Sequence, residues 1–341
     1  MYKLSEKTEK LIKKAAKGKK HLKLNIGVMI GDKTDIRTFD ENGEIEYENN
    51  IYEIGSITKV FTTSLLAKMV FENKMLLEDS IKKYIPELNQ GNYYPSLLKL
   101  ATHKSGISSE DLLGRSKWEN FLFIIDMLSQ KHNMTKENFL FMDYNKMLEL
   151  YHKNKKTDKE YKWAYSNFGI SMLGYAIGLA DGRGYWEVMN DYLKNDLGLK
   201  NTYLGTLKEK NINGFSNKNE NWGNYEWEGR ELMAPAGALS STAEDLLIFS
   251  KINMEKDYLA LCHKKYTNLD KKHYDMGLGW WLDKKNNNVM MHGGTTGCFD
   301  TFLILDKEKK IAVAFLPNYR MGLGMQMTIG PAIMEDLQKS L

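Results

Sequence analysis

Residues 51–70 read IYEIGSITKVFTTSLLAKMV. An apolar, strand-like approach from Ile51 to Gly55 turns at the glycine into a segment whose Val60, Phe61, Leu65, Leu66, Met69 and Val70 recur at helical spacing. The stretch therefore predicts a helix with Ser56 in its first turn. Ser56 and Lys59 stand three residues apart and project from one helix face. A lysine amine whose pKa is lowered towards neutrality by burial can take the proton of a serine hydroxyl, and a helix N-terminus favours a developing anion. Ser-x-x-Lys also occurs at Ser80 to Lys83 and at Ser96 to Lys99. Alone, the pattern reads equally well as a helix N-cap followed by a solvated lysine. Only at Ser56 does a strand-like approach turn through glycine into a strongly periodic helix.

Outward from this stretch, the two chain ends share a character. A Lys-rich helix whose Leu11, Ile12, Ala15 and Ala16 face inward is followed by strand-like runs at Leu22 to Ile30 and Ile36 to Phe39, and Asn42-Gly43 offers a tight turn before Ile45 to Tyr47. Near the other end, Phe299 to Leu305 and Ile311 to Leu316 flank the charged turn Asp306 to Lys310, and a last helix covers Gln326 to Lys339. Between about residues 57 and 290 helical patterns dominate, including a face marked by Phe168, Met172, Leu173, Ala176 and Ile177. The fold class expected is α+β. One antiparallel sheet is built from both chain ends and flanked by the terminal helices, and a mostly helical subdomain packs beside it. The 341 residues then form a single domain, with an α/β subdomain at about 1–58 and 275–341 and a helical one at about 59–274. The natural site is the cleft between them.

Composition narrows the function classes. With 42% hydrophobic and 27% charged residues and a net charge of +4, the chain has ordinary globular composition. The lysines crowded between Lys3 and Lys23 read as the wet side of a helix, so no nucleic-acid partner is expected. Cys262 and Cys298 are too few for a disulfide framework and read as buried or neutral thiols. No apolar leader and no stretch of roughly 18 apolar residues is seen. A cytoplasmic monomer that does not engage membranes is expected, or an exported one if the natural N-terminus carries more than is written here.

Two further motifs lie downstream in order. Tyr165-Ser166-Asn167 precedes a predicted helix. A phenol beside a lysine ammonium can ionise below its usual pKa of about 10 and shuttle a proton, while an asparagine amide can hold a substrate carbonyl. His292-Gly293-Gly294-Thr295 opens the C-terminal strand region, where glycines at a sheet edge let a substrate backbone approach and the Thr295 amide can join that of Ser56 in an oxyanion hole. The remaining histidines show no ligand spacing, so no metal and no cofactor is expected.

Ser-x-x-Lys, Tyr-x-Asn and His-Gly-Gly-Thr in this order resemble the class C β-lactamase family with its penicillin-binding, DD-peptidase, D-aminopeptidase and esterase relatives. Leu97 to Gly106 resembles the family's Leu-Leu-x-His-x-Ser-Gly loop, and Pro235 to Leu246 its Gly-Gly-x-x-Ser-Thr-x-x-Asp-Leu helix entry, where Ser241 and Glu244 also form a capping box. The resemblance implies a β-lactamase/transpeptidase-like fold and a serine hydrolase that passes through an acyl-enzyme. Ser56 would be the nucleophile, Lys59 and Tyr165 its proton acceptors, and the amides of Ser56 and Thr295 the oxyanion hole. Asn167, His292, Gly294 and Thr295 would bind a small β-lactam, amide or ester, with the aromatic stretch Trp222 to Trp227 along one wall. An esterase or D-amino-acid peptidase of the same fold is an alternative, and a penicillin-binding sensor that acylates without turnover is another. Class C β-lactamases usually carry Lys-Thr-Gly where this chain has His292-Gly293-Gly294. The segment from Arg115 to Thr157 looks longer than usual, with an apolar helix around Trp118 to Leu128.

Overall fold

The computed structural model describes residues 2–89, 91, 93–107, 144–153, 156–321 and 324–341. The extra helix expected around Trp118 to Leu128 lies outside them.

Helix α1 (Glu6–Ala16) leads into the hairpin β1 (Leu24–Ile30) and β2 (Lys33–Phe39), with the short β3 (Glu44–Ile45) beyond it. Asp40 accepts the amides of Asn42 and Gly43 at 2.7 and 3.0 Å, which closes the turn into β3. The chain then runs through helices α2 (Thr58–Phe71), α3 (Asn167–Asp181) and α4 (Ala243–Glu255). It returns to the sheet with β4 (Thr267–Asn268), β5 (Tyr274–Met276), β6 (Trp281–Asp283), β7 (Val289–Thr295), β8 (Asp300–Asp306) and β9 (Ile311–Pro317), and ends in helix α5 (Gln326–Lys339). The strand order is β3-β2-β1-β9-β8-β7-β6-β5-β4 and every pairing is antiparallel. The two chain ends meet where β1 pairs with β9, from Leu24 opposite Pro317 to Ile30 opposite Ile311.

The central strands are buried on both faces, and their alternation sorts side chains into two cores. Phe302, Ile304, Ile311, Val313 and Phe315 join Ile12, Ile329, Ile333 and Leu337 beneath the terminal helices α1 and α5. Leu303, Leu305, Ala312, Ala314 and Leu316 join α2, α3 and α4 on the other side. Helix α4 crosses β1 so closely that a Cβ at Gly27 would lie 3.2 Å from Leu247. A single-register slip would exchange the two sets of side chains, each worth about 1.5–3 kcal/mol when fully buried.

Helix α2 carries the Ser-x-x-Lys region through the interior, where its polar side chains are buried. Each needs an internal partner. Thr58 accepts the Leu239 amide at 3.0 Å, Thr62 donates to the Pro235 carbonyl at 2.7 Å and Thr63 to that of Leu278 at 2.9 Å. These bonds fix the helix to the segment around residue 237 and to the loop before β6.

Two expectations change. The stretch assigned helical patterns up to about residue 290 contains β4, β5 and β6, and also Tyr203–Leu204 and Leu239–Ser241, which join Tyr52–Glu53 in a small sheet. These strands are two or three residues long, too short for alternation to show. The cap of α4 is Thr242, whose side chain accepts the Asp245 amide, whereas Ser241 bonds Thr202 at 2.8 Å. Among the described residues no helix is long and apolar enough to cross a membrane.

Candidate active site

Ser56 lies in a one-turn 3-10 helix, Gly55–Ile57, that feeds α2. Gly55 has φ +51°, and a Cβ there would sit 2.8 Å from the Thr295 nitrogen. Glycine is required both by the left-handed backbone and by the close approach. Gly294 makes the same approach from the strand side, since a Cβ on it would fall 1.9 Å from the Ile54 carbonyl oxygen. The serine turn and the end of β7 are thus held backbone to backbone, with the Thr301 hydroxyl bonding the carbonyls of Ile54 (3.0 Å) and Gly294 (3.2 Å). The Thr295 side chain donates to Asp300 at 2.9 Å.

Lys59 is fully buried, and its Nζ lies 2.8 Å from Ser56 Oγ and 2.6 Å from the Ala236 carbonyl oxygen. Burial drives its pKa well below the ordinary lysine value. In its uncharged form the amine can keep one N–H on Ala236 and turn its lone pair to the serine proton. Tyr165 completes the cluster: its phenol shares a hydrogen bond with Ser56, and its ring centroid is 4.9 Å from Lys59 Nζ. Burial pushes its pKa up, only partly offset by the bond to Ser56. This corrects the expectation of a phenol that ionises below 10, because burial outweighs the bond to Ser56.

Ser166 N-caps α3 by accepting the Gly169 amide at 2.9 Å, which places Asn167 at the first helical position. His292 is buried on β7, with its ring 5.0 Å from that of Trp281. Its Nδ1 is 2.6 Å from the Gly293 carbonyl oxygen, which can only accept, so Nδ1 carries the proton and Nε2 is a bare acceptor. Nε2 is buried without a partner among the described residues. Burial lowers the His292 pKa to about 3.

The other two Ser-x-x-Lys sites are structural. Ser80 caps the turn Ile81–Lys83, with Lys83 paired to Asp79, and Ser96 caps Leu97–Ala101. Trp222 packs on the loop after β7, where a Cβ at Gly297 would fall 2.0 Å from its ring, while Tyr225 and Trp227 are buried behind it. Both cysteines are free and buried, with the Cys298 thiol pushed up to about 12. No group of three or more potential metal ligands occurs among the described residues. His103 received no role from the sequence beyond its place in the Leu97 to Gly106 loop, yet its buried ring lies 4.7 Å from that of Tyr165.

Residues 15–329 match the family model described as Beta-lactamase. The chain is 23% identical over 290 residues to protein flp of Staphylococcus aureus (strain MW2), covering 78% of this chain and 52% of that one. It is 28% identical over 217 residues to a beta-lactamase of Providencia stuartii, covering 61% and 48%. The chain therefore spans about half the length of the curated relatives it matches. In fold it is similar to a beta-lactamase/D-alanine carboxypeptidase from Yersinia pestis, with a TM-score of 0.75 at 20% identity over 97% of this chain and 98% of that one.

Proposed function

The chain belongs to the beta-lactamase family, and from that premise we propose that it is a serine hydrolase in which Ser56 is acylated by a small amide, ester or β-lactam. The observation that carries this reading is the buried Lys59 amine, 2.8 Å from Ser56 Oγ, with its pKa driven well below the ordinary lysine value by burial. In the proposed reaction Lys59 draws the serine proton, directly or through the Tyr165 phenol, as Oγ attacks the carbonyl carbon. The amides of Ser56 and Thr295 stabilise the oxyanion. Collapse breaks the bond to the leaving group, which takes a proton from Tyr165 or Lys59, and water then hydrolyses the acyl-enzyme. Asn167 and His292 orient the substrate beside Gly294.

The state of His292 supports uncharged esters and short D-amino-acid amides over cephalosporins. A lysine ammonium at this position would attract a β-lactam carboxylate, whereas a neutral imidazole presenting a lone pair does not. The test is a side-by-side assay of a p-nitrophenyl ester, a D-alanyl anilide and a chromogenic cephalosporin on wild type and Ser56→Ala. Ester or anilide should be cleaved with the higher kcat/KM. A serine-reactive phosphonate should add its mass to wild type, Ser80→Ala and Ser96→Ala and leave Ser56→Ala unmodified. Labelling that survives Ser56→Ala overturns the nucleophile. Cephalosporin turnover near the common enzyme range of about 10⁶ M⁻¹s⁻¹ overturns the substrate preference. A burst of one equivalent without turnover identifies an acylated sensor.

A further inference from the structure

His103 ends the short helix Leu97–Ala101 in a left-handed conformation, φ +58°, which turns the chain so that its carbonyl and its ring both face the segment before α3. Its carbonyl oxygen accepts the Ala164 amide at 3.0 Å, and its Nδ1 accepts the Ser166 amide at 3.1 Å. Alternate amides of an extended segment point to the same edge, so the imidazole takes the place that a second backbone carbonyl would occupy in a strand pair. Tyr165 lies between these two anchored amides, and its ring packs on the imidazole with centroids 4.7 Å apart and planes at 36°.

The tautomer follows from the donor. An amide N–H can only donate, so Nδ1 is unprotonated and the neutral ring carries its proton on Nε2. That nitrogen is buried and has no partner among the described residues. Burial lowers the ring's pKa well below the ordinary histidine value, and the titratable groups facing it are Lys59, His292 and Tyr165. A protonated ring would lose the Ser166 bond, because Nδ1 would become a second donor.

We propose that His103 is a positioning residue for the proposed reaction, an imidazole clamp that holds residues 164–166 by two amides and one ring face and so keeps the Tyr165 phenol against Ser56. The inference rests on the hydrolase reading and acts wholly through Tyr165, which makes it separable from a general role in folding.

The experiment measures ester acylation by stopped flow in His103→Ala, His103→Asn and His103→Gln, each alone and combined with Tyr165→Phe, with melting temperature recorded in parallel. An asparagine oxygen can reach the Nδ1 position, and asparagine tolerates φ near +58°; glutamine places its amide near Nε2 instead. His103→Ala should lower the acylation rate about 30-fold or more with KM within about threefold. His103→Asn should recover to within about fivefold of wild type, and His103→Gln should not. In the Tyr165→Phe background none of the three should cost a further factor above about two. If His103→Ala does not fold, the Asn and Gln pair carries the same comparison. Equal rates for those two variants, or His103 losses that persist undiminished in Tyr165→Phe, overturn the clamp and leave the hydrolase reading standing. A fully active Tyr165→Phe likewise overturns the clamp, whereas acylation that survives Ser56→Ala overturns the hydrolase reading itself.

Discussion

Burial acts in opposite directions on the two groups flanking Ser56, lowering the pKa of Lys59 and raising that of Tyr165, and both shifts favour the uncharged form. In the proposed reaction the resting base is then the amine, and the phenol relays protons without resting as phenolate. Acylation should be lost as pH falls through the depressed Lys59 pKa and should level off well before pH 10. In Tyr165→Phe that acid limb should remain, and in Lys59→Ala it should vanish, each variant losing roughly 10²-fold or more in rate. The double variant should be little worse than the poorer single, since both serve one proton. A limb that keeps rising past pH 10 in the wild type would make tyrosinate the base. At this scale the site was largely legible, because Ser56, Lys59 and Tyr165 belong to motifs with distinctive order. The ionisation of Tyr165 was not, since it depends on burial, and neither was His103, whose role comes from a positive φ and a tautomer that no spacing records.

Two elements must touch for the oxyanion hole to exist, and the contact falls on one of two adjacent glycines. A Cβ on Gly294 would stand 1.9 Å from the Ile54 carbonyl oxygen, whereas a Cβ on Gly293 would meet nothing nearer than the Met327 sulfur at 3.6 Å. Gly294→Ala should push β7 away from the serine turn, lowering stability by about 1–3 kcal/mol and acylation by at least tenfold. Gly293→Ala should melt within a few degrees of wild type and keep its rate. Equal behaviour of the two variants in melting and stopped-flow acylation would show that the strand end has room to move. The long elements were readable for a physical reason: β1, β8 and β9 are seven residues each, and helix α5 occupies the whole span from Gln326 to Lys339 that its sequence predicts. The strands β4 to β6 carry two or three residues each, too few for a period-two alternation to register, so no local pattern announced them.

Closing one sheet from both chain ends and wrapping it in two cores leaves three imidazoles of the described residues in the interior, and this ties the stability of the whole molecule to pH. Burial lowers the pKa of His263 and His292 to about 3, and that of His103 well below 6.5. In the unfolded chain the same groups titrate near 6.5. Between that value and about 3 the unfolded state binds more protons, so these groups contribute fully above pH 6.5 and their contribution is lost as pH falls. Each unit of lag costs about 1.4 kcal/mol per group, so two units below 6.5 cost roughly 5–6 kcal/mol for His263 and His292 together, with His103 adding in the same direction, against a typical total of about 5–15 kcal/mol. Lys59 adds to the slope, because its unfolded pKa near 10.5 leaves the buried neutral amine penalised at every pH below it. The melting temperature should therefore climb steeply from pH 4.5 to 6.5 and continue to rise more gently towards pH 9. His263 lies outside the catalytic cluster, with its Nε2 3.3 Å from Asn253 Oδ1, and so isolates the effect. His263→Gln should flatten the acid limb of the melting curve while leaving ester hydrolysis at neutral pH unchanged. An unchanged acid slope in that variant would mean that the imidazole already takes up its proton in the folded state.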